Sequence, residues 1–132
     1  MKDCIFCKIV NNEIKSHTIY EDELVKVFLD ANPETNGHML IIPKKHYQNI
    51  LDLDEKIIPH AVKIIKEKLY PLMKEKLHCD GMTIAQNNEY GQEVKHFHIH
   101  VVPRYENDQD YHSYNKDILI SIEDIYSKLT NV

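Results

Sequence analysis

The segment His96-Phe97-His98-Ile99-His100-Val101-Val102 alternates imidazole and apolar side chains without a break. That period belongs to a β-strand, whose successive side chains leave opposite faces. The three imidazoles are therefore expected on one face, with Phe97, Ile99 and Val101 entering a core from the other. A helix would turn His98 away from its neighbours, and β-branched composition disfavours one. Same-face positions lie roughly 6.8 Å apart, so the outer histidines are separated by roughly 13–14 Å. Zinc holds each ligand nitrogen at about 2.0–2.1 Å, so two adjacent histidines can share an ion and three in a row cannot. At least one of them needs another task. Neutral imidazole is a nucleophile, a proton carrier and a metal ligand near neutral pH. Nine histidines in 132 residues, three of them in this pentapeptide, read as a site.

The remaining chain supplies a frame for that strand. Thr18 to Tyr20 and Val25 to Leu29 are β-branched and aromatic runs separated by three acids, a hairpin pattern. Turn-forming residues from Asp30 to Gly37 lead into the buried run His38 to Pro43. Asp54 is placed to cap a long helix over Glu55 to Leu77, with an apolar stripe from Ile57 to Met73. Pro59 and Pro71 interrupt that pattern, which predicts a bend or break near Tyr70. Strands are expected over Met82 to Gln86 and His96 to Pro103, joined by a polar loop. A short terminal helix is expected after Ser121, with Ile122, Ile125, Tyr126 and Leu129 as its apolar side. These elements predict a single α+β domain over residues 1–132, mainly an antiparallel sheet of about five strands.

Composition removes whole classes of function. The longest apolar run, Met39 to Ile42, is far short of the roughly 20 residues a spanning helix needs. A net charge of −5 argues against nonspecific nucleic-acid binding, which draws on excess Lys and Arg. An acid and a cysteine at the N-terminus stand where a signal peptide has its apolar segment, so a cytoplasmic location is expected. Three cysteines, two as Cys4-x-x-Cys7, read as thiols or metal ligands in a reducing compartment. The pair alone is compatible with a redox centre, with buried thiols, or with half of a zinc site.

Taken together, the motifs resemble the histidine triad (HIT) family of nucleotide hydrolases and transferases. The triad is preceded by Gly91-Gln92-Glu93-Val94 and followed by Pro103-Arg104. Gly37-His38 through Pro43-Lys44-Lys45-His46 is similar to the family's central strand, and Cys4-Ile-Phe-Cys7 to the start of its zinc-carrying members. Residues 4 to 104 carry the likeness, and the tail 105–132 lies outside it.

The resemblance implies an activity and its residues. His98 would attack the α-phosphorus of a bound nucleotide, His100 would bind a phosphate oxygen, and His38 would orient the pair. Gln92, with the backbone near Glu93 and Val94, would hold the α-phosphate, with Asn87 or Asn88 beside it. Asp30 would accept from the ribose hydroxyls. Ile5, Phe6, Ile9, Phe28 and Leu29 would enclose a purine. Cys4, Cys7, His46 and His96 would bind a structural zinc, which frees His98 and His100 for chemistry. A homodimer with the sheet continued across it is implied as well.

The expected function is thus hydrolysis of a nucleoside phosphoramidate or dinucleoside polyphosphate through a nucleotidylated His98. A nucleotide-binding module with vestigial catalysis is the main alternative. A hydrolase using zinc-activated water between two triad histidines is the other. His17, His60, His78 and His112 are read as surface or helix residues, and Cys79 as an inert, partly buried thiol.

Overall fold

The computed structural model describes residues 3–109 and 114–130. Five strands form one antiparallel sheet: β1 (Thr18–Glu21), β2 (Val25–Leu29), β3 (Met39–Pro43), β4 (Gly81–Ala85) and β5 (Ile99–Arg104). Their spatial order is β1-β2-β3-β5-β4. The predicted α+β class and antiparallel sheet are therefore observed.

Alternation divides the sheet into two working faces. Val25, Val27, Met39, Ile41, Ile99 and Val101 point to the larger core, where they meet the apolar stripe Ile57, Ala61, Ile64, Leu69 and Met73. Phe28, Leu40 and Ile42 point the other way, against Phe6 and Ile9 of the short helix α1 (Ile5–Val10). Each fully buried aliphatic or aromatic side chain contributes about 1.5–3 kcal/mol, so the helical face carries most of the stability. The opposite face packs against α1, and the concavity there is the site described below.

The long helix departs from the predicted single element. It begins at Ile57, runs as α2 (Ile57–Ile64), widens into a π-helical turn over Ile65–Leu69, and resumes as α3 (Tyr70–Leu77). The cause is Pro71, which has no N–H for the carbonyl four residues back and whose ring crowds it. In the widened turn the Tyr70 N–H reaches Ile65 O, five residues earlier, and absorbs the mismatch. Pro59 falls in the first turn of α2, where its missing N–H has no intrahelical partner to lose. Asp54 contributes upstream of the helix, its Oδ1 accepting from the Lys56 N–H at 3.0 Å.

β5 also starts later than expected. Ladder pairing with β3 begins at Ile99, opposite Ile41. Extending that register would set Phe97 opposite Pro43, which has no N–H to offer. The Phe97 N–H donates instead to Tyr47 O at 2.7 Å, and residues 96–98 continue beside the sheet outside its ladder. The fourth strand is Gly81–Ala85, one residue earlier than expected.

Gly37 shows why the turn before β3 cannot take another residue. Its φ is +93°, and an added Cβ would run into the Leu77 side chain. The expected terminal helix is present as α4 (Ile122–Thr130), with Ser121 Oγ accepting from the Asp124 N–H at 3.2 Å. Its apolar side chains are all exposed. No helix among the described residues is long and apolar enough to cross a membrane.

Candidate functional site

Register sets the histidines on the α1 side of the sheet. His100 pairs with Leu40 on β3 and with Ala85 on β4, so its ring shares a face with Leu40. His38 immediately precedes β3 in phase with Leu40 and Ile42. Ring centroids of His98 and His100 are 5.0 Å apart, and those of His38 and His100 are 5.1 Å apart.

Hydrogen-bond partners fix the tautomer of each ring. The Glu34 N–H donates to His38 Nδ1 at 3.0 Å, so that nitrogen holds a lone pair and the proton sits on Nε2. His38 Nε2 in turn lies 2.9 Å from His100 Nδ1 and 3.6 Å from Asp30 Oδ2. His100 Nδ1 is therefore the acceptor, and its own proton is on Nε2. Independently, His98 Nδ1 donates to the His96 carbonyl at 2.8 Å, which leaves the His98 Nε2 lone pair uncommitted. Burial, with His98 and His38 adjacent, holds His100 down to about 4. Burial also lowers His38, against the raising effect of Asp30 and Glu34. Both rings are neutral at pH 7, as the relay requires.

Asp30, His38 and His100 are close enough to be considered as metal ligands. The tautomers decide otherwise: the His38 nitrogen facing Asp30 and His100 carries a proton, because its lone pair on the ring's other nitrogen is taken by the Glu34 N–H. This group is a proton-bearing relay.

A different cluster has the chemistry of a metal site. Cys4, Cys7, His46 and His96 converge, with separations of 3.3 Å for Cys4 Sγ–His96 Nδ1, 3.3 Å for Cys7 Sγ–His46 Nδ1 and 3.1 Å between the two Nδ1 atoms. Zinc with Cys and His ligands forms a tetrahedron whose edges are roughly 3.3–3.8 Å, so the four donors need only small adjustments. His96 Nε2 donates to Pro43 O at 2.9 Å, which turns the Nδ1 lone pair inward. Burial, followed by the Cys4 thiol, pushes the Cys7 thiol up to about 11, so a thiolate there calls for a cation. The donor set fits zinc.

Between α1 and the sheet lies a cavity of about 740 Å³, within the range of small-molecule sites. Ile5, Phe6, Ile9, Phe28, Leu29, Asp30, Asn87, Val94, His38, His98 and His100 all line it. The Phe6 ring stands edge-on to Phe28 at 5.6 Å and to His98 at 5.1 Å, an apolar wall reaching the middle imidazole of the triad. Asp30 is oriented by the Asn32 N–H, which its Oδ1 accepts at 2.9 Å.

Two expectations are refined by these contacts. Asn87 faces the cavity, whereas Asn88 is locked in a reciprocal amide pair with Gln86, both bonds 2.7 Å, and accepts from the Ile50 N–H. Gln92 does not line the cavity. Its amide is buried and committed to the Glu89 N–H, Gln48 O and Val94 O, so it braces the loop instead of reaching toward a ligand.

Sequence reasoning missed the segment Ile14 to His17 and the acids Glu34 and Glu93, all of which line the cavity. No local pattern marks the first group; a long-range bond from the Leu29 N–H to His17 O lays that segment beside β2. Of the other histidines set aside earlier, His60 pairs with Asp22 at 2.7 Å, His78 ends α3 in a left-handed conformation, and His112 lies outside the described residues. Cys79, expected to be partly buried, is fully buried.

Comparison with known proteins agrees with this constellation. The HIT domain model matches residues 11–107. The chain belongs to the HIT family. A HIT-like protein of Methanocaldococcus jannaschii is 38% identical over 128 residues, covering 96% of this chain and 98% of its relative. The adenosine 5′-monophosphoramidase of Saccharomyces cerevisiae is 39% identical over 103 residues, covering 76% and 62% respectively. Among solved structures, a zinc-bound histidine triad protein of Mycobacterium smegmatis superimposes with a TM-score of 0.78 at 34% identity, covering 86% of this HIT chain and 84% of that one.

Proposed function

We propose that this HIT protein hydrolyses purine nucleotide conjugates at the α-phosphate, cleaving a P–N or phosphoanhydride bond through a nucleotidyl-His98 intermediate. The observation that carries the reading is the pair of tautomers: a free His98 Nε2 lone pair beside a His100 Nε2–H, both in rings that line one cavity. The phosphoramidase activity named for the yeast relative supports the reaction class.

The steps follow from those groups. A purine lies between the α1 side chains Ile5, Phe6 and Ile9 and the β2 residues Phe28 and Leu29. Asp30 accepts from the ribose hydroxyls. Asn87 and the backbone N–H groups of Glu93 and Val94 donate to the α-phosphate, while Gln92 keeps that loop in shape. His98 Nε2 attacks phosphorus, a P–N(His98) bond forms, and the bond to the leaving group breaks. His100 Nε2–H stabilises the phosphoryl oxygens and supplies a proton toward the departing atom. Water then attacks phosphorus and expels the imidazole, releasing a nucleoside monophosphate. Cys4, Cys7, His46 and His96 would hold a zinc whose contribution would be cohesion, tying α1 to the segment before β5.

The test is intact-protein mass spectrometry on rapidly quenched reactions with an adenylyl donor. An added adenylyl mass in the wild type that disappears in His98→Ala is expected. Bound AMP with neither adduct nor turnover would replace this reading with that of a nucleotide-binding module.

A further inference from the structure

The charges around the cavity are not those of a polyphosphate site. Sites for chains of phosphates are built from Arg and Lys that pair with the oxygens. Lys44, Lys95 and Arg104 are absent from the cavity wall and are engaged elsewhere. Lys44 pairs with Glu21 at 2.8 Å. Lys95 Nζ donates to the carbonyls of Glu89 and Gln92. Arg104 makes two bonds to Asp108, of 2.9 and 2.7 Å. Among the described residues the cavity wall carries one ammonium, Lys15, against the carboxylates Asp30, Glu34 and Glu93. His38 and His100 are neutral and add no positive charge.

These charges come from three segments of the wall. Lys15 lies in the segment after α1, and Asp30 and Glu34 lie in the turn after β2, Glu34 beside His38. Glu93 belongs to the third. It lies in the loop between β4 and the triad, between Gly91 and Val94, which line the cavity with it, and its side chain is exposed. A nucleotide seated with its base under Phe6 and its ribose at Asp30 directs its leaving group past His98 toward this loop. The group then meets a carboxylate.

We propose that Glu93 is a specificity determinant that favours leaving groups bearing a positive charge and disfavours polyphosphates. The substrate class is then a nucleoside phosphoramidate whose amine portion carries an ammonium. This rests on the hydrolase reading above and narrows it. The chemistry balances: the P–N bond to the amine breaks as the P–N(His98) bond forms, the departing nitrogen takes a proton, and water later yields the nucleoside monophosphate. Glu93 takes no part in these bonds. It acts by its charge on the portion of the leaving group beyond the scissile nitrogen.

The test uses two AMP phosphoramidates of similar size, one of ethylenediamine (terminal ammonium) and one of glycine (terminal carboxylate), together with diadenosine tetraphosphate. Values of kcat/KM are measured for the wild type, Glu93→Gln, Glu93→Lys and the distant control Glu23→Gln. A single nearby charge alters such ratios on the order of tenfold at low salt. The wild type is expected to prefer the ammonium conjugate by that order. Glu93→Gln should remove most of the preference, Glu93→Lys should reverse it, and Glu23→Gln should leave it intact. Raising ionic strength should compress the wild-type ratio, as a charge effect requires and a shape effect does not. Turnover of all three substrates with ratios indifferent to both Glu93 variants would overturn this inference alone. No turnover of any substrate by the wild type would overturn the hydrolase reading and the inference with it.

Discussion

Lys26 is the side chain on β2 whose removal tests how the nucleotide pocket is held together. It is 2% exposed, yet it points to the apolar face shared with Phe28. Its Nζ donates to the Ile9 carbonyl at 2.9 Å and to Asn12 Oδ1 at 3.0 Å. A six-residue helix is far too short to persist alone, so α1 depends on what grips it. The Cys4 and Cys7 cluster grips its first half and Lys26 its C-terminal end, where a cation also suits the helix dipole. In Lys26→Met the apolar stem is preserved and the charged donor is lost. Hydrogen bonds to a charged group contribute about 1.5–3 kcal/mol, and relief from burying the ammonium offsets part of that. The Ile9 carbonyl also retains the Asn12 N–H at 3.1 Å. A net loss of about 1.5 kcal/mol is expected, equivalent to a fall in Tm of about 5 °C for a chain of this length. Because α1 carries Phe6 and Ile9 but none of the reacting groups, KM should rise several-fold while kcat stays within about twofold. Differential scanning calorimetry and steady-state kinetics with an adenosine phosphoramidate measure both. An unchanged or raised Tm would show that desolvation outweighs the bonds. A fall in kcat at constant KM would show that α1 does not act through binding.

Further predictions follow from the metal cluster, the relay, the loop asparagines and the outer surfaces. Cys7→Ser should abolish stoichiometric zinc by elemental analysis and lower Tm, and chelation of the wild type should reduce stability before it reduces kcat. The folded state holds His100 at about 4 against 6.5 in the unfolded chain, so the unfolded state binds more protons between those values. Stability is therefore complete above pH 6.5 and declines as pH falls toward 4, and the urea midpoint of His100→Gln should vary less across that window than the wild type's. Asn87→Ala should slow turnover at least tenfold, whereas Asn88→Ala should chiefly loosen the loop; equal kinetic effects would contradict the assignment. Sedimentation at micromolar concentration should give about twice the monomer mass, and a monomer would remove the proposed dimer.

What could be seen in advance follows from how local each determinant is. The two faces of the sheet were visible because side-chain alternation is a property of neighbouring residues. The four zinc-ligand candidates came as a set only through a family resemblance, since spacing within the triad offered no ground for preferring His96 over His100. The cavity's rim from Ile14 to His17 was invisible, being placed by backbone bonds at its two ends, from the Ile14 N–H to Lys8 O and from the Leu29 N–H to His17 O. The π turn was half visible: Pro71 announced a disturbance, but where the helix would absorb it depended on packing along the stripe.

The protonation pattern of the triad belongs to the least legible class, and it bears most on chemistry. A histidine in a sequence has two equivalent descriptions, and only its partners distinguish them. Here the partners are backbone groups whose identity the sequence does not encode as pattern: the Glu34 N–H, the His96 carbonyl and the Pro43 carbonyl. Each pins one nitrogen and thereby sets the other. The Pro43 carbonyl turns His96 Nδ1 toward the cysteine pair, the His96 carbonyl frees His98 Nε2, and the Glu34 N–H, by holding the His38 proton on Nε2, leaves the proton of His100 on its outward nitrogen. Since the three donors and acceptors are main-chain atoms, a substitution at Glu34 that keeps the N–H should leave the relay in place. Glu34→Ala keeps the N–H and should retain turnover within a few-fold, whereas Glu34→Pro removes it and should depress kcat by at least an order of magnitude. Circular dichroism and zinc content establish whether that variant keeps its fold. A folded Glu34→Pro protein with wild-type kcat would show that the His38 tautomer is set by something other than the backbone, and the relay would have to be redrawn from Asp30.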